Sequence, residues 1–338
     1  MRKEYTRRKF LKGTLSAGVA IAGTKLAFAA VTGSEIIQDQ LKNPYDPKGL
    51  PTSVLGKTGV IIPRIAIGLG SRFLNIETLD EALEMCNYAL DNGLYYWDTA
   101  HSYVNTETGA ISEERLGNIV KYRRKEIFLS TKIEARDPET AKSEIEISLK
   151  RLQTDHLDIL KIHAVESPED VNNICRKDGV LDLISRMKEE RVTRFIGFSG
   201  HGNAGALKMM VDTGRFDSML FAMNHYDITN GDRQGTLIPA AQQKEMGIML
   251  MKTIRPKETI EGIDTKELVR FALSLEGPSG IAVGMDSKKV VDSNLELLRN
   301  FKPMNDNEKL KYAMILSPYF RHENLEWMKE GYHDGCLC

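Results

Sequence analysis

The sequence predicts a (β/α)8 barrel, an α/β TIM-barrel fold carrying an N-terminal hairpin and a C-terminal extension. Three observations predict it: eight short apolar, β-branched runs, segments of helical period between them, and a spacing of about 30–40 residues from one run to the next. The runs are 63–69, 94–99, 127–133, 157–163, 194–199, 218–224, 247–253 and 280–285. Ahead of them, 54–62 reads as a small hairpin with glycines at its turn. Leu79, Ala82, Leu83, Cys86, Tyr88, Ala89 and Leu90 fall on one helical face before the stop signal Asn92-Gly93, and helices are expected again at 112–122, 138–152, 180–191, 203–213, 236–245, 265–275 and 290–300. A doubly wound open sheet is the competing architecture. Gly68-Leu69-Gly70-Ser71 after the first run is not the G-x-G-x-x-G turn such a sheet uses for dinucleotides. The 71–77, 104–111, 165–180 and 226–235 stretches read as loops at the strand ends, and 302–338 as a helix or extension lying across the barrel.

The 338 residues are 41% hydrophobic and 28% charged, which suits a water-soluble globule with a large core. Forty-six basic residues against 47 acidic ones give a net charge of −1, removing the electrostatic argument for a nucleic-acid partner. Charge is uneven along the chain, however. Residues 1–29 hold seven of the basic residues and one acid, and without them 39 basic residues face 46 acidic ones, a net −7. Thr6-Arg7-Arg8-Lys9-Phe10-Leu11-Lys12 is followed by a 12-residue uncharged run, 13–24, too short to span a bilayer, and then by Ala27-Phe28-Ala29, an A-x-A cleavage pattern. The segment resembles a twin-arginine export signal. That implies recognition by the twin-arginine export machinery, a periplasmic or otherwise exported location, a mature start at Ala30 and no stable membrane span. The expected organisation is therefore a signal over 1–29, a lead-in over 30–50, a barrel over 51–301 and an extension over 302–338. The four cysteines, Cys86, Cys175, Cys336 and Cys338, are too few for a disulfide framework.

Barrel enzymes place their chemistry at the C-terminal ends of the strands. Polar residues break the apolar runs there: Asp98, Lys132, His163, Ser199 and Asn224, with Tyr103 five residues beyond Asp98. An ammonium buried in a strand needs a counter-ion, and Asp98 is the nearest plausible one for Lys132. A Lys-Asp pair beside a phenol makes the phenol a usable proton donor or acceptor, and a histidine alongside can orient a carbonyl or share the proton. Each also has a plainer reading: Lys132 as a snorkelling strand-end cation, His163 as a hydrogen-bonded core histidine, Tyr103 as a loop aromatic.

Asp98-Thr99-Ala100-His101-Ser102-Tyr103, followed by Ser112-Glu113-Glu114-Arg115-Leu116-Gly117, resembles the D-T-A-x-x-Y…S-E-x-x-L-G segment of the aldo-keto reductases. Thr131-Lys132, Leu157-Asp158-Ile159-Leu160-Lys161-Ile162-His163 and Ile196-Gly197-Phe198-Ser199 match the same family in the same order. The resemblance implies hydride transfer between a nicotinamide and a small-molecule carbonyl or alcohol, with a catalytic tetrad of Asp98, Tyr103, Lys132 and His163. It implies cofactor contacts from Ser199, Asn224, Lys252, Gly284, Ser287 and Asn294. The chain departs from the family at Ser199-Gly200-His201-Gly202, where Ser-Asn is usual, and at Met251-Lys252-Thr253, where an aromatic is common. Val290 stands where an arginine often binds the 2′-phosphate; Lys288 and Lys289 can replace it, which favours NADP while leaving NAD open. Relatives with a similar seventh strand carry an iron-sulfur cluster on about four C-terminal cysteines. Cys336 and Cys338 alone do not make that set, and no metal ligands are assigned. Two rival readings are a metal-dependent barrel hydrolase using His101, His163, His201 and His225 with Asp98, and a non-catalytic nucleotide-binding protein.

Overall fold

The computed structural model describes residues 44–224, 232–254, 261–319 and 334–335. The signal expected over 1–29, His225, Cys336 and Cys338 lie outside these residues. An antiparallel pair, β1 (Thr52–Val54) and β2 (Ile61–Pro63), precedes eight parallel strands: β3 (Ile65–Gly68), β4 (Tyr96–Asp98), β5 (Phe128–Ile133), β6 (Leu157–Val165), β7 (Thr193–Gly200), β8 (Ser218–Ala222), β9 (Gly247–Met251) and β10 (Gly280–Gly284). The eight pair in chain order, and β10 pairs with β3 to close the barrel. Closure leaves no sheet edge among these strands. It also explains the near-continuous apolar runs, because one face of each strand fills the barrel and the other meets a helix.

Several helices form where capping chemistry starts them. Thr78 and Glu81 build a reciprocal capping box for Leu79–Asp91, and Asp137 caps Pro138–Arg151 with proline in the first turn. The 165–180 stretch, expected as a loop, carries a further helix, Pro168–Cys175, started by Ser167. At eight residues it is too short for periodicity to reveal. In the C-terminal extension an Asn305/Glu308 capping box starts the helix Asp306–Leu316.

The hairpin closes the N-terminal end of the barrel. Leu55 is fully buried and packs against Gly247, the first residue of β9, so closely that a Cβ on that glycine would lie 2.6 Å from the leucine side chain. Chemistry is thereby left to the opposite end. Beside the barrel, Gly117 in the helix Ser112–Arg123 meets the carbonyl of Arg151, and a Cβ there would lie 2.1 Å from that oxygen. Gly117→Ala should lower stability by about 2 kcal/mol through this clash, overriding the roughly 1 kcal/mol alanine gains in a helix. A urea midpoint equal to or above that of the wild type would refute the close-approach account.

Candidate active site

Side chains two apart on a strand share a face. Tyr96 and Asp98 on β4, Ser130 and Lys132 on β5, and Lys161 and His163 on β6 therefore line one interior, with Asp98 paired to Ser130 and Lys132 to Lys161 in the parallel register. Lys132 is fully buried. Its Nζ meets Asp98 Oδ2 at 2.6 Å and donates to Thr99 O at 2.8 Å and to Tyr103 Oη at 3.1 Å. The other oxygen of Asp98 holds Lys161 Nζ at 2.5 Å. Burial pushes the Asp98 carboxyl up, but the two ammonium groups outweigh it and hold the group below the usual carboxylate range. Lys132 is held below the usual lysine range, by burial first; Asp98 opposes that effect and Lys161 adds to it.

Tyr103 reaches this pair because its loop is fastened at several points. Its carbonyl accepts from Ser112 N at 3.0 Å, and the bridge between Val104 and Ile111 closes the loop. Ser112 Oγ donates to Leu69 O at 2.7 Å, Thr131 Oγ1 donates to Glu113 at 2.6 Å, and Arg115 donates to Phe73 O and Ile76 O. The Ser-Glu-x-Arg stretch is scaffolding for the tyrosine.

One residue from the far end of the chain completes the cluster. Asp334 is buried, and its Oδ2 accepts from Tyr103 Oη at 2.8 Å and lies 3.1 Å from His163 Nε2. Its Oδ1 lies 2.5 Å from Lys252 Nζ and 3.4 Å from His201 Nε2. Burial pushes this carboxyl up, but Lys252, His201 and His163 together hold it well below its ordinary range. His201 is pushed down by burial. Gly335 lies over the Tyr103 ring, where a Cβ would come within 2.1 Å of a ring carbon. On its other side, His163 Nδ1 lies 3.1 Å from Glu134 Oε1.

Asp98, Tyr103, Lys132 and His163 are thus brought together. Lys252, at a left-handed φ of 58° just after β9, joins them through Asp334, and the buried Asn224 donates to its carbonyl at 3.4 Å. Ser199 is the penultimate residue of β7, and its Oγ accepts from Ala164 N. Gly284 ends β10, Ser287 caps the helix Lys288–Arg299, and Asn294 lies within that helix, its amide donating to Val290 O at 2.8 Å. This second group suits the phosphates of a dinucleotide. The space a Cβ would take at Gly284 reaches the Arg72 side chain at 3.2 Å, and a capped helix N-terminus follows. Arg72 in turn pairs with Asp286 at 2.7 Å, joining the ends of the neighbouring strands β3 and β10. Of the described members of the hydrolase set, His101 turns to Ser148 and Arg151, while His163 and His201 meet at Asp334. Among the described residues, no group of three or more His, Cys, Asp or Glu is arranged to hold a metal ion.

Lys161, Asp334 and Glu134 carry no role in the sequence reading. Lys161 was visible in principle, as a cation two residues before His163 in an apolar strand. Asp334, 171 residues from His163, has no signal at all.

The profile of the aldo/keto reductase family matches residues 66–256. The chain is 25% identical over 330 residues to L-galactose dehydrogenase of Arabidopsis thaliana, covering 83% of this chain and 98% of the plant protein. It is 23% identical over 215 residues to the oxidoreductase YrpG of Bacillus subtilis, covering 58% of this chain and 64% of YrpG. The fold is that of an aldo/keto reductase from Klebsiella pneumoniae solved with NADP and acetate, at TM-score 0.62 and 18% identity, over 79% of this chain and 95% of that one.

The carboxyl of Asp334 has a depressed native pKa, so its docking should be complete above the ordinary carboxylate range near about 4 and fade as the pH falls below it through the native value. Protection of the C-terminal peptide against hydrogen exchange, taken relative to the intrinsic rate at each pH, should fall on that acidification, and at neutral pH in Asp334→Asn. Exchange unchanged in the variant would show that the carboxylate does not hold the tail.

Proposed function

The chain belongs to the aldo/keto reductase family, and on that premise we propose that it is an NAD(P)H-dependent oxidoreductase interconverting a small-molecule carbonyl and its alcohol. The observation that carries this reading is a single oxygen, Asp334 Oδ2, held at once by Tyr103 Oη and His163 Nε2 beside the buried Lys132. A substrate carbonyl oxygen in the same place accepts the Tyr103 proton during reduction, and an alcohol returns it during oxidation. His163 orients that oxygen, and Lys132 with Asp98 stabilises the phenolate that proton loss leaves behind. A bound nicotinamide supplies or takes up the two reducing equivalents. Ser199, Asn224 and Lys252 would hold its ring end, and Gly284, Ser287 and Asn294 its pyrophosphate and adenine end. NADP is favoured over NAD by Lys288 and Lys289, and the Klebsiella relative with bound NADP supports that preference.

The signal-like segment over 1–29 supports export through the twin-arginine route, giving a mature chain from Ala30 in the periplasm or an equivalent space. Export of the folded protein allows the nucleotide to travel with it, which suits a compartment poor in free nicotinamide. Met251-Lys252-Thr253 supports a kinship with relatives that carry a C-terminal iron-sulfur cluster.

Tyr103→Phe should lower kcat by about 10²–10⁴-fold, followed as NADPH or NADH absorbance with a carbonyl panel; unchanged turnover removes Tyr103 from proton transfer. Because Asp334 occupies the position of the substrate oxygen, Asp334→Ala should raise kcat/KM by about threefold or more, the factor by which an occupied site lowers apparent affinity. A fall to the level of Tyr103→Phe would instead make Asp334 part of the reacting machinery.

A further inference from the structure

Asp98 serves two ammonium groups with one carboxylate. Lys132 takes Oδ2 at 2.6 Å and Lys161 takes Oδ1 at 2.5 Å, and the two lysines stand opposite each other in the β5–β6 register. Like charges in paired positions repel, and these side chains are 0% and 1% exposed. Lys161 also donates to Tyr96 Oη at 3.3 Å, with its ammonium 5.6 Å from the centre of that ring. Room is made for it by Gly197, its register partner on β7, where a Cβ would lie 3.2 Å from Lys161 Cγ. An unbranched apolar side chain would fill the same space without charge, and buried charges replaced in this way commonly leave a protein as stable or more so. Packing alone therefore gives no reason for an ammonium here.

Two cations on one anion leave a surplus positive charge in the barrel, and the ionisable oxygen next to it is the Tyr103 hydroxyl, 3.1 Å from Lys132 Nζ. We propose that Lys161 is a positioning residue for proton transfer: by sharing Asp98 it leaves Lys132 under-neutralised, and so favours the phenolate of Tyr103, the form that takes the proton from an alcohol. This rests on the reading of Tyr103 as the proton-transfer group. The depressed Lys132, whose causes include Lys161, agrees with such crowding. Other groups also face the phenol. Asp334 accepts its proton, with Lys252 and His201 on the far oxygen; the His163 ring stands edge-on at 5.6 Å with Glu134 behind it; and Tyr96 is held protonated by burial and by Asp98. All of these are common to the wild type and a Lys161 variant, so they drop out of the comparison.

The test is a titration of the Tyr103 ring by NMR in full-length protein labelled at tyrosine Cζ, without cofactor, the resonance being assigned with Tyr103→Phe. In Lys161→Met and Lys161→Gln the phenol should titrate about one pH unit higher than in the wild type. The acidic limb of the pH profile for alcohol oxidation should move with it. Lys161→Met should melt no lower than the wild type, because it removes a surplus buried charge. A resonance that titrates with the wild type, or a methionine variant that melts several degrees lower, overturns the proposal and makes Lys161 a core-packing residue. The titration needs no turnover. A phenol that shifts as expected in a protein that reduces no carbonyl and oxidises no alcohol would uphold the role of Lys161 and remove the proposed activity.

Discussion

A fully buried ammonium at Lys132 is the constraint from which the rest of the mouth follows. Desolvating such a group costs several kcal/mol even after relaxation (order of magnitude), and a strand interior offers few acceptors because its backbone groups are already paired. The barrel supplies them from the neighbouring strand: Asp98 ends β4, and the carbonyl of Thr99, the next residue, points at the same nitrogen. The third acceptor has to come from outside the sheet. That need accounts for the Tyr103 loop and for the fastenings that hold it, since a hydroxyl placed 3.1 Å from the ammonium serves only if the loop cannot swing away.

The same reasoning divides the resemblance motifs by task. Asp98, Lys132 and His163 lie on the interior face at the ends of consecutive strands and share one site. Ser112, Glu113, Arg115 and Gly117 touch none of the reacting positions. They tie the tyrosine loop to Leu69, Thr131, Phe73 and Ile76 and let a helix approach the carbonyl of Arg151. Asp158, also within a motif, sits at the opposite end of β6. Its oxygens accept from Tyr45, Arg124, Arg194 and the amide of Leu129, so it clamps the lead-in segment under the barrel.

The barrel was legible because its signal is local: short continuous apolar runs and segments of helical period mark each strand and helix without reference to the others. The Lys132–Asp98 pair was legible for a related reason, as a charge in an apolar strand demands a partner and the end of the preceding strand is the nearest place for one. Lys161 breaks its apolar strand in the same way, yet it hides behind His163, whose chemistry explains the strand end by itself. Asp334 was out of reach. It is placed by tertiary contacts alone, and no periodicity links position 334 to position 103. The helix Pro168–Cys175 was missed for want of length, although Ser167-Pro168 is a start signal.

The two ends of the barrel treat a buried carboxylate differently, and the difference separates support from chemistry. At the bottom, Asp158 meets two arginines whose guanidinium groups stay protonated at any working pH, the Leu129 amide, and the Tyr45 phenol, which burial and Asp158 itself keep protonated. Nothing there can exchange a proton or a partner. At the mouth, the donors around Asp334 are a phenol, two imidazoles and an amine, groups that lose protons far more readily than a guanidinium. The carboxylate itself sits in a turn rather than a strand. A site assembled from titratable donors around a replaceable oxygen can pass a proton to whatever oxygen takes that place, whereas one assembled from arginines can only hold.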